Sequence, residues 1–81
     1  MAIPAAQFPA LKARQVLRLL AKLGYRIERQ AGSHRKLVAP NRPPIGFAFH
    51  DRDDVPPRAL RHILSERVGL TEAEIRDLLW K

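Results

Sequence analysis

From Ala10 to Leu23 the apolar positions recur with helical spacing. Ala13, Val16, Leu19, Leu20 and Leu23 share one face at about 100° per residue, while Arg14, Arg18 and Lys22 form a stripe on the opposite face. Gly24 follows where a left-handed cap would end the helix. From Tyr25 the period changes to two. Tyr25 and Ile27 alternate with Arg26 and Glu28, which predicts a strand through Gln30. Ala31-Gly32-Ser33 supplies a turn, and His34 to Ala39 reads as a second strand with Leu37 pointing inward. Residues 40–44 hold three prolines and read as a loop. Ile45 to His50 reads as a third strand, with Ile45, Phe47 and Phe49 on one face.

After a polar loop at 51–56, Pro57 opens a helix whose buried stripe is Ala59, Leu60, Ile63, Leu64 and Val68. Gly69 ends it. Thr71-Glu72-Ala73-Glu74 has the form of a capping box and starts a short last helix ending at Leu79 or Trp80. The pattern predicts an α+β fold of order α-β-β-β-α-α, an antiparallel three-stranded meander covered on one side by helices. Residues 1–9, interrupted by Pro4 and Pro9, read as an irregular leader, with Ile3 or Phe8 available to tuck against the core. Residues 10–81 read as a single domain.

Composition narrows the classes. A chain of 81 residues buries roughly 60% of its unfolded surface, so its core is thin. It has no cysteine, hence no disulfide, thiolate chemistry or Cys-based zinc site. No apolar run approaches the roughly 18–20 residues of a membrane span, and the first ten residues lack the basic start and apolar stretch of a signal peptide. A cytoplasmic location is expected.

Charge sharpens the picture. Fifteen Lys and Arg against eight Asp and Glu leave +7. Residues 1–50 carry nine basic residues and one acid, Glu28, or +8, whereas residues 51–81 carry six basic and seven acidic residues, or −1. Eleven of the fifteen cations are Arg, whose fork suits phosphate or carboxylate. Such a field attracts polyanions, although a solvated basic surface also serves solubility.

The candidate chemistry is sparse. There is no phosphate-binding glycine loop, dinucleotide fingerprint or nucleophile elbow. His34, His50 and His62 are far apart in sequence, so no metal site is expected. Ser33 and His34 are neighbours on a strand and point to opposite faces, which argues against a Ser–His pair. His34 opens a strand after a tight turn, with Arg35 and Lys36 following and Arg29 across the hairpin. A histidine in a cationic surface suits RNA cleavage: neutral imidazole takes the 2′-hydroxyl proton, and cations stabilise charge building on phosphorus. A histidine at a strand end can equally be a solvated spectator, and spacing alone does not separate the two.

Leu20-Ala21-Lys22-Leu23-Gly24-Tyr25, Arg29-Gln30-Ala31-Gly32-Ser33-His34, Phe49-His50 and Arg58-Ala59-Leu60-Arg61-His62-Ile63-Leu64 together resemble the HicA (YcfA-like) toxin family across roughly residues 11–75. The resemblance implies a double-stranded-RNA-binding-like fold. It implies the toxin of a type II toxin–antitoxin pair, a metal-independent endoribonuclease cleaving mRNA, with His34 of the Gly-Ser-His motif as catalytic base. It also implies a HicB-type antitoxin as partner. Arg29, Arg35 and Lys36 are then expected to contact the reacting phosphate, and Arg14, Arg18 and Lys22 to guide the RNA strand. His50 is expected to be a second acid/base group or, in preference, an anchor of the following loop; His62 is read as surface. The alternative is a non-catalytic RNA-binding module of the same fold.

Overall fold

In a computed structural model that describes residues 3–80, the first helix does not begin at Ala10. Met1 and Ala2 of the predicted leader and Lys81 of the predicted domain lie outside the described residues. Leu11–Lys12 form a short strand, β1, which pairs antiparallel with β5, Asp54–Val55. Helix α1 starts after it and runs Ala13–Lys22. Its first amides are satisfied by the 51–54 loop: Ala13 N donates to Asp53 O at 2.8 Å and Arg14 N to Asp51 O at 3.2 Å. Lys12 Nζ meets Asp54 Oδ1 at 2.7 Å beside them. This pairing joins segments some forty residues apart, which periodicity along the chain does not report.

Four of the five residues of the predicted core face of α1 face inward: Ala13, Val16 and Leu20 are buried and Leu23 packs partly against them, whereas Leu19 lines a surface groove and Leu17 takes its place against the core. Gly24 takes φ 99°, and Tyr25 N reaches back to Leu20 O at 3.0 Å, closing the helix.

Three strands follow in the order β2-β3-β4: β2 Arg26–Ala31, β3 His34–Ala39 and β4 Arg42–Phe47. Gly32-Ser33 alone makes the first turn, with Gly32 at φ 61°, because Ala31 already pairs with His34. Pro40-Asn41 makes the second, with Asn41 at φ 61°. The expected loop over 40–44 is therefore too long, and the expected third strand at 45–50 is shifted. Pro43 and Pro44 lie inside β4. They are tolerated because β4 is an edge strand and its register with β3 slips between Leu37 and Ala39, where the prolines need donate nothing to the ladder. Tyr25 Oη donates to Pro43 O at 2.7 Å and Arg42 Nε to Leu23 O at 3.1 Å, tying the start of β4 to the end of α1.

One face of this sheet joins the helices. Leu37, Ile45 and Phe47 are buried in a single cluster with Val16, Leu20, Leu60, Leu64 and Ile75. Ile27 shares the phase of Tyr25 but remains 48% exposed, because β2 is the other edge strand and the core does not extend beneath it. Ile3 and Phe8 both enter the core, flanking a single 3-10 turn at Ala5–Gln7. Helix α2, Pro57–His62, continues into a π turn, Ile63–Arg67, closed by Val68 N to Ile63 O at 2.8 Å. Helix α3, Glu72–Trp80, begins with the predicted capping box: Thr71 N donates to Glu74 Oε1 at 2.8 Å, and Glu74 N to Thr71 Oγ1 at 3.2 Å. The arrangement is the expected α-β-β-β-α with an added C-terminal helix. Among the described residues no helix is long and apolar enough to cross a membrane.

Candidate functional site

Among the described residues the other face of the sheet carries no helix, and a single bulge decides what it displays. Ile27 pairs with Leu37, yet Arg29 pairs with Lys36, so Glu28 is an extra residue in β2. Without it, Glu28 would stand opposite Lys36 and Arg29 opposite Arg35, on the core side. With it, Arg29 shares the open face with Lys36, and Ala31 shares it with His34. Glu28 stays close enough for its Oε1 to meet Lys36 Nζ at 3.3 Å. Gly46 pairs with Lys36 from β4, so Arg29, Lys36 and Gly46 form one row across three strands, about 10 Å from end to end.

An open cleft of about 430 Å³ lies over these positions, bordered by Arg29, Ala31, His34, Lys36, Gly46 and Ala48. Its floor is small: Ala31, Gly46 and Ala48 leave the peptide backbone accessible between the longer side chains. His34 is exposed at its edge, two residues along β3 from Lys36 and on the same face. The cleft thus offers a histidine, two cations and a flat floor. That combination can seat a phosphodiester and move a proton beside it.

The remaining predicted residues fall elsewhere. Arg35 also contributes to the cleft lining, but it alternates with His34 and Lys36 and turns its side chain toward the core, where it is 9% exposed. Its Nη2 meets Asp51 Oδ1 at 2.5 Å and its Nη1 donates to Phe49 O at 3.3 Å. Arg35 therefore pins the chain as it leaves β4. Its spacing from Leu37 already carried this signal, since residues two apart on a strand share a face.

His50 lies beyond the end of β4 and does not border the cleft. Its main chain is held in a turn, with His50 N donating to Asp53 Oδ2 and Asp53 N to His50 O, each at 2.9 Å. Arg14, Arg18 and Lys22 are exposed on the side of α1 away from the core. The cleft also faces away from that core, from the sheet side, so stripe and cleft are separate surfaces. His62 is exposed on α2.

Sequence reasoning missed Arg67. It closes the π turn and reaches the edge of β4, where a β-carbon placed on Gly46 would lie 3.9 Å from its Nη2. No local pattern connects Arg67 to the sheet, because the approach depends on how the π turn packs.

No curated protein and no solved structure matches the chain. A family model does: that of the HicA toxin of bacterial toxin-antitoxin pairs matches residues 13–73. The matched span begins with α1, takes in the whole three-stranded sheet and its histidine cleft, and ends in the first turn of α3. Since it covers well over half of the chain, the protein belongs to the HicA toxin family.

Proposed function

We propose that this toxin is an endoribonuclease that cuts mRNA at the His34 cleft without a metal ion. The observation that carries the reading is the shared face: an exposed histidine beside the Arg29–Lys36 row, over a floor of small residues. The proposed mechanism uses protein groups alone.

Neutral His34 accepts the proton of a ribose 2′-hydroxyl. The 2′ oxygen bonds to the adjacent phosphorus as the bond to the 5′ oxygen of the next nucleotide breaks. The departing oxygen takes a proton from water, and His34 returns its own to solvent. The products are a 2′,3′-cyclic phosphate and a 5′-hydroxyl end. Arg29 and Lys36 stabilise the charge that accumulates on phosphorus. Arg35 supports the site from behind by holding the β4 exit. The α1 stripe of Arg14, Arg18 and Lys22 contributes long-range attraction for polyanions and adds to the salt dependence of binding. His50 acts as a loop anchor through its main chain. An mRNA substrate implies a cytoplasmic location, and the family implies a HicB-type antitoxin, which on this reading keeps RNA from the cleft.

The test compares the purified chain with His34→Ala, each checked by circular dichroism, on RNA and on DNA of the same sequence in the presence of EDTA. The wild type is expected to cut RNA only, leaving cyclic phosphate ends, and His34→Ala to be at least about 100-fold slower. Equal cleavage by His34→Ala, or cutting of DNA that requires magnesium, defeats the mechanism. Binding of RNA without cleavage by the wild type would favour the non-catalytic module.

A further inference from the structure

Nothing in the backbone or packing of β4 asks for a glycine at position 46. Its φ lies outside the left-handed region, and an added β-carbon would make one ordinary contact, at 3.9 Å, with the end of a flexible arginine. Glycine weakens a strand and often marks close approach of a ligand to the backbone. Here the bare position sits between two cations from different elements. Lys36 stands beside it on β3, and Arg67 comes round the β4 edge from the π turn. Among the described residues the Arg67 guanidinium, like that of Arg29 in the same row, has no ion pair and no hydrogen bond. A free guanidinium over bare backbone presents a planar fork to whatever anion settles there.

We infer that Gly46 and Arg67 form a second phosphate subsite, which holds the RNA phosphate next to the one cleaved beside His34. The inference rests on the proposed RNA reading of the cleft. It extends the Arg29–Lys36 row to a fourth element and gives the bound strand a direction, across the three strands from β2 to the β4 edge. Gly46 serves as the floor: a β-branched side chain there would fill the space between Lys36 and Arg67 while remaining compatible with the strand.

The experiment measures binding of a labelled single-stranded RNA by fluorescence anisotropy in a His34→Ala background, at several salt concentrations, with melting curves for every variant. Arg67→Ala is expected to weaken binding about threefold to tenfold and to lower the salt slope by about one. Arg67→Lys is expected to recover the slope but only part of the affinity. Gly46→Val is expected to weaken binding with no loss of melting temperature, and Gly46→Ala to have a smaller effect. If Lys36→Ala lowers affinity and slope while Arg67→Ala and Gly46→Val change neither, the subsite does not exist and the cleft reading stands. If none of the three changes binding, RNA does not use this face and both fall. Cleavage by His34→Ala at the wild-type rate would remove the catalytic reading alone, since the subsite is judged on binding.

Discussion

Arg29 stands directly across from Lys36, although simple alternation along β2 would have set it across from Arg35. The extra residue, Glu28, changes the phase of the strand halfway along. Tyr25 can then be buried at one end while Arg29 and Ala31 face the cleft at the other. The same residue places the only acid of the first fifty residues against Lys36.

Two variants of Glu28 check this. Glu28→Gln removes a half-exposed ion pair of the kind worth about 0.2–1 kcal/mol, so RNA affinity should rise about twofold to fivefold as Lys36 is released. Deletion of Glu28 should leave a regular ladder with Arg29 still opposite Lys36, and cleavage should be retained. Loss of cleavage in a folded deletion variant would show that Glu28 contributes more than its place in the ladder. Anisotropy and cleavage rates decide both.

Arg35 gives a prediction of the opposite kind. Arg35→Met keeps the apolar stem and removes a guanidinium bonded to Phe49 O and Asp51. The expected cost is about 1–3 kcal/mol in urea unfolding, with cleavage per folded molecule within about twofold of the wild type. Asp51→Asn should cost less, since that carboxylate is largely in water. A variant of native stability that no longer binds RNA would mean that Arg35 leaves the core to meet substrate.

The capping box sets a pH dependence. Hydrogen bonds from the Thr71 main chain and side chain hold the Glu74 carboxyl below its ordinary range. A carboxyl lowered in the folded state stabilises the fold above its unfolded value, and the contribution is lost as pH falls through the lowered one. Helix α3 should therefore loosen in acid, below the ordinary glutamate range. The single tryptophan reports it: Trp80 packs edge-on to Phe8 with ring centroids 6.1 Å apart and is 46% exposed. Its fluorescence should change at acid pH, and Thr71→Ala should reduce the amplitude. An unchanged acid transition in Thr71→Ala would remove the cap as its cause.

What could be read from the residues was whatever their neighbours decide. The cap at Gly24, the Gly32-Ser33 turn, the Thr71–Glu74 box and the exposure of His34 after its turn all depend on a few adjacent positions. Pro43 and Pro44 were misread because prolines argue against a strand only when both of its sides are paired, and edge position is a property of the whole sheet. The bulge at Glu28 and the pairing of Leu11–Lys12 with Asp54–Val55 depend on distant partners. Arg67 was missed for the same reason. The inward turn of Arg35, by contrast, was available from its neighbours: it is two residues from Leu37 and so shares its face.

The two prolines of β4 also bear on how these molecules can join. One edge of the sheet is blunted against further strands, because Pro43 and Pro44 have no N–H to offer an incoming chain, whereas β2 at the other edge has no proline. Two copies meeting through β2 would form a six-stranded sheet with prolines at both outer margins. Prolines at both outer margins would disfavour the addition of further strands to such a pair.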